Sequence, residues 1–83
     1  MKMDYITFRS ITPAQRGQRL LQKYGIETLL QRTPRWMEER GCGYCLRLRQ
    51  ADTGRAEQIL RKNDALFSKV YFAEAEGTDA WHL

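Results

Sequence analysis

In the run Tyr44-Cys45-Leu46-Arg47-Leu48-Arg49, apolar side chains alternate with cysteine and arginine, and no other feature of the chain constrains its fold as strongly. Successive side chains of a strand point to opposite faces. This segment is therefore predicted to be a strand, with Tyr44, Leu46 and Leu48 toward a core and Cys45, Arg47 and Arg49 outward. A strand patterned in this way belongs to a sheet that is covered on one side and open on the other.

The remaining elements can be read around that strand. Tyr5-Ile6-Thr7-Phe8 is short and rich in β-branched and aromatic residues, which predicts a strand with Ile6 and Phe8 inward. A helix is predicted next, capped by Thr12, with Pro13 at its first position and Gly25 at its left-handed end. Its inner stripe comprises Gly17, Leu20, Leu21 and Tyr24. Ile26 to Gln31 reads as a strand closed by Arg32-Thr33-Pro34, and a loop runs on to about Gly43. After the alternating strand, Asp52 or Thr53 is expected to start a second helix with Ala56, Ile59, Leu60 and Asn63 inward. Lys69 to Ala73, with Val70 and Phe72 inward, supplies a last strand. The order βαββαβ predicts an α+β, ferredoxin-like fold: a four-stranded antiparallel sheet, first and third strands central, with both helices on one face. Residues 1–75 would form this domain and 76–83 a tail.

At 83 residues, 42% of them hydrophobic, the chain has room for one modest core. No apolar run approaches the roughly 20 residues of a membrane helix, and the N-terminus lacks the apolar stretch of a secretory signal, so the expected location is the cytoplasm. Charge is unevenly distributed. From Arg9 to Arg49 nine basic residues face three acidic ones, leaving +6 there and −2 elsewhere, and such an excess attracts anions.

Chemistry is expected at Arg40-Gly41-Cys42-Gly43-Tyr44-Cys45. Flanking glycines leave the backbone at Cys42 open to unusual torsions and to the approach of another molecule. Arg32, Arg35 and Arg40 are placed to favour the thiolate, the species that attacks electrophiles and carries transferred sulfur. The plain alternative is that Cys42 is a small buried apolar residue at the start of a strand. A redox pair with Cys45 requires a bend, since an extended Cys-Gly-Tyr-Cys segment separates the two Cα atoms by about 10 Å, beyond the roughly 7 Å limit for a disulfide. The two thiols are thus expected to act separately, with Cys42 the faster to alkylate. One CxxC with a distant His82 supplies at most three ligands where structural zinc takes four, so neither metal nor cofactor is expected.

Ser10-Ile11-Thr12 before a helix, Tyr24-Gly25-Ile26 after it, Arg32-Thr33-Pro34-Arg35, and Gly41-Cys42-Gly43-Tyr44-Cys45-Leu46-Arg47 together give the chain a family likeness. Over roughly residues 3 to 73 it resembles the short proteins called putative selenium/sulfur carrier-like, most specifically at Pro34, Arg35, Cys42 and Gly43. Cys45 is an addition to that family's usual single cysteine. The resemblance implies a carrier, rather than a free-standing enzyme, that holds sulfur or selenium on Cys42 and exchanges it with donor and acceptor proteins. Arg35, Arg40 and Gly43 would serve the anion, with Cys45 as a secondary thiol. A second reading, from a different class, is a small interaction module that binds an anionic ligand or RNA on a basic sheet face made by Arg47 and Arg49, with Tyr5 and Tyr71 as the ring donors there. Because so few aromatics occupy that face, nucleic acid ranks below the carrier, and self-association is left open.

Overall fold

The structure is a computed structural model that describes residues 3–35 and 43–72. The elements follow in the expected order: β1 (Met3–Phe8), α1 (Ile11–Lys23), β2 (Leu29–Arg32), β3 (Tyr44–Arg49), α2 (Gln50–Lys62) and β4 (Lys69–Tyr71). The strands form one sheet in the order β2-β3-β1-β4, every neighbouring pair antiparallel. This is the ferredoxin-like arrangement, with β1 and β3 at the centre.

The core lies between one face of the sheet and the two helices. Ile6 and Phe8 from β1 and Leu46 and Leu48 from β3 are buried there with Ala14 and Leu21 of α1 and Ala56, Ile59 and Leu60 of α2. Leu30 and Val70 of the outer strands pack against the same cluster. Period-two alternation then assigns the other positions of each strand to the opposite, open face. At Gly17 the helix approaches the sheet so closely that a Cβ would stand 3.0 Å from the Phe8 ring.

Both helices end in the same way. In α1, the Gly25 N–H donates to Gln22 O and the Ile26 N–H to Leu21 O, each at 3.0 Å, with Gly25 at φ +80°. In α2, Asp64 at φ +56° repeats this pattern, its N–H donating to Arg61 O at 3.2 Å and that of Ala65 to Leu60 O at 2.9 Å. Each end is a Schellman motif, in which one left-handed residue lets the chain turn back and satisfy the last helical carbonyls.

Several boundaries differ from those expected. The first helix starts at Ile11 with Ser10 as its N-cap, so Pro13 falls within the first turn, where the missing N–H costs nothing. The second starts at Gln50, directly out of β3, because Thr53 is engaged elsewhere: its hydroxyl donates to Asp4 Oδ2 at 2.7 Å. Ile26 belongs to the turn after α1 and is buried in the core, and β2 begins only at Leu29. Tyr24, Asn63 and Phe72 are exposed, the first two because they are the C-caps of their helices. The last strand ends at Tyr71, and Ala73 lies outside the described residues.

Candidate functional site

The residues expected to carry chemistry fall where β2 gives way to β3, and of these Arg40 and Cys42 lie outside the described residues. The frame on either side of them is well defined. Arg32, the last residue of β2, pairs with Tyr44, the first of β3, and its guanidinium sits 5.3 Å from the centre of the Tyr44 ring. One step beyond this pair, the Thr33 N–H donates to Gly43 O at 2.9 Å, closing the chain between them. Pro34 is partly buried, and Arg35 is exposed to solvent.

Gly43, bonded directly to Cys42, lacks the left-handed torsion that would demand glycine, and a Cβ built on it would meet nothing within 4 Å. The expectation of an unusual torsion is corrected at this position.

Cys45 is placed on the open face as expected, but it is fully buried there rather than facing water. Its cross-strand partners are Gln31 of β2 and Thr7 of β1, the latter also buried. Burial pushes the Cys45 thiol up from its ordinary range, because the anion is the form that loses hydration. Thr33 and Gln31 oppose the shift without overcoming it. The Thr33 hydroxyl is itself shut off from solvent and has no hydrogen-bond partner of ordinary geometry among the described residues.

Arg47 and Arg49 follow on the same face but run away from this end. Arg47 pairs with Leu29 and Tyr5, and Arg49 with Met3. At about 3.3 Å per residue, Arg47 lies roughly 13 Å from Gly43 and Arg49 roughly 20 Å, beyond the ~8 Å screening length of physiological salt. They therefore contribute little to the charge around Cys42. Arg49 is turned instead toward the start of α2, with Nε 3.7 Å from Asp52. The basic excess is not one patch. Arg16, Arg19 and Lys23 are exposed on α1 across the sheet from Arg47, while Arg32 and Arg35 cluster at the Gly43 end.

Reading the sequence missed Arg32 as a ring-stacked cation, Thr33 as the clamp on Gly43, and Gln31 as the neighbour of Cys45. The alternation of β3 identifies the face, but the residues opposite it depend on a register that β2 does not display. Among the described residues no group of three or more His, Cys, Asp or Glu is arranged to hold a metal, and no helix is long and apolar enough to cross a membrane.

Residues 4–72 match the family model described as putative Se/S carrier protein-like, a span that takes in all of the fold's strands and helices but Met3 of β1. No curated protein and no solved structure matches the chain.

Proposed function

Because the chain belongs to the putative Se/S carrier protein-like family, we propose that it holds sulfur or selenium on Cys42 as a persulfide or selenosulfide and passes it to a partner protein. The observation that carries the choice of residue concerns the other cysteine. The sequence has two, and Cys45 is buried with its thiol held in the protonated form at neutral pH, so Cys42 is the better nucleophile.

In the proposed step the Cys42 thiolate attacks the terminal chalcogen of a donor persulfide or selenopersulfide. The bond between that atom and the donor's sulfur breaks, the donor cysteine leaves as a thiolate, and the proton stays on the transferred atom. No electrons are gained or lost overall. Delivery repeats the exchange: an acceptor nucleophile takes the terminal atom and Cys42 leaves as thiolate. Arg35 and Arg40 stabilise that anion, and the open space at Gly43 admits the donor's cysteine.

Incubation with a cysteine desulfurase and its substrate, followed by intact mass and peptide mapping, tests this. One added sulfur is expected on the Cys42 peptide, retained in Cys45→Ser and lost in Cys42→Ser. Replacing Arg35 and Arg40 with alanine should slow loading several-fold at neutral pH and much less at alkaline pH, where the thiolate forms without help. An adduct that persists in Cys42→Ser, or none in the wild type, overturns the reading.

A further inference from the structure

The end of the molecule where Thr33 closes on Gly43 also gathers the start of α1 and the finish of α2. Phe8 pairs with Tyr44 and α1 sets out just beyond it, while α2 runs back to the same end before the chain enters β4 at Lys69, beside Thr7. Between the first turns of α1 and the turn that follows α2 lies a groove of about 410 Å³, its apolar lining supplied by Pro13, Leu20, Ala65 and Leu66. Leu66 is 82% exposed, and Ile11, two residues before Pro13, is 41% exposed. One exposed leucine is ordinary, but a groove with two open apolar residues at its mouth is the kind of patch that marks a docking site.

Cations frame this groove. Arg16 lines it, Arg9 stands just before α1, and Arg32 ends β2 on the helix side of the sheet, paired with Tyr44. These arginines are exposed, and none forms an ion pair among the described residues. Asp64, the one acid in the groove lining among the described residues, is not paired with them either. The result is an apolar slot bordered by positive charge that no described carboxylate answers.

Resting on the carrier reading, which brings a donor or acceptor protein to Cys42, we propose that this surface is where that partner docks, setting an apolar side chain in the groove and carboxylates against Arg9, Arg16 and Arg32. Charge complementarity selects an acidic partner surface, and the groove selects an apolar anchor within it. Nucleic acid is a poorer fit, because its phosphates would meet the arginines but it has nothing to gain from an open leucine. An interface of standard size covers about 800 Å² on each partner, enough to reach from the groove to Gly43, the residue bonded to Cys42.

Two routes of loading separate this proposal from the reading beneath it. A cysteine desulfurase with its substrate delivers sulfur through a protein contact. Inorganic polysulfide delivers it without one: the Cys42 thiolate takes one sulfur atom, and the shortened polysulfide leaves as the dianion. Mass spectrometry of the Cys42 peptide gives initial rates of persulfide formation on the full chain by each route. With the enzyme, Leu66→Gln should lower kcat/KM for the chain about tenfold, through KM, and Leu66→Met, which stays apolar, should match the wild type. Arg9→Gln and Arg16→Gln should each lower it about threefold at low salt and much less at about 0.5 M, where exposed charges are screened. With polysulfide, every one of these variants should load like the wild type. Circular dichroism confirms that each is folded. Enzyme loading that ignores Leu66→Gln and Arg16→Gln overturns the docking proposal and leaves the carrier reading standing. So do equal losses by the two routes, which would place the effect on Cys42 itself, and so does competition by oligo-uridine that Arg16→Gln relieves and Leu66→Gln does not. No persulfide from the enzyme overturns both.

Discussion

Burial acts on Cys45 as on any acid whose charged form is an anion: the folded chain keeps its proton to higher pH than the unfolded chain does. The contribution to stability is therefore constant at neutral and acidic pH, and is lost as pH rises above roughly 8.5, the ordinary thiol value. Urea midpoints at pH 7 and pH 9.5 should show a decline in the wild type that is reduced in Cys45→Ala. In the folded protein at pH 7, Cys45 should resist iodoacetamide until urea exposes it, and rapid modification without denaturant would contradict its burial. That the residue sits on the open face was legible from alternation. That this part of the face is closed was not, because burial depends on what lies opposite and above, and the Gln31–Cys45–Thr7 row appears only once three strands are in register. Arg32 is a similar case: its position before Thr33-Pro34 marks the end of a strand but gives no sign that its guanidinium meets the Tyr44 ring.

The matching ends of the helices carry different residues at the position that needs a left-handed backbone. Gly25 adopts φ +80° without steric penalty, whereas Asp64 holds φ +56° against the clash of its Cβ with the backbone. Gly25→Ala should accordingly lower stability by about 1 kcal/mol, and Asp64→Gly should raise it by about 0.5–1 kcal/mol. Chemical denaturation of the two variants reads both signs, and a stabilised Gly25→Ala would show that the turn is less constrained than its torsion implies. Gly25 was recognisable in the sequence as a helix stop, because glycine at the end of a periodic stripe has few other uses. Asp64 was not, since Asn63 and Asp64 occur as often in helix faces and loops. The starts were harder to read than the ends. Thr53 has the chemistry of an N-cap, but its hydroxyl reaches Asp4, 49 residues earlier, and the helix begins without a side-chain cap. Local pattern assigns a capping group to the nearest helix end, and tertiary structure reassigned this one.

For the molecule as a whole, the Thr53–Asp4 hydrogen bond ties the first turn of α2 to the start of β1 inside the core, where both side chains are buried. Thr53→Val keeps the shape and removes the donor, and hydrogen bonds to such groups contribute about 1.5–3 kcal/mol. A fall in Tm of about 10 °C is expected for a domain of this size, and no change in Tm would show that other partners of Asp4 suffice. Topology was legible throughout, because two consecutive βαβ units leave few unknotted arrangements. The distribution of charge was not, since neighbours in sequence from Arg9 to Arg49 are divided among a helix face, a strand end and the open sheet. The hydrogen bond from Thr33 N–H to Gly43 O has a consequence of another kind. It joins Thr33 to Gly43 as a clasp, so the scaffold on either side is held together without reference to what the clasp encloses. Doubling the enclosed length costs only about 0.6 kcal/mol in closure entropy. An insertion among the nine residues between Thr33 and Gly43 should therefore cost the frame little, and a new chemistry can be grafted there without a new fold.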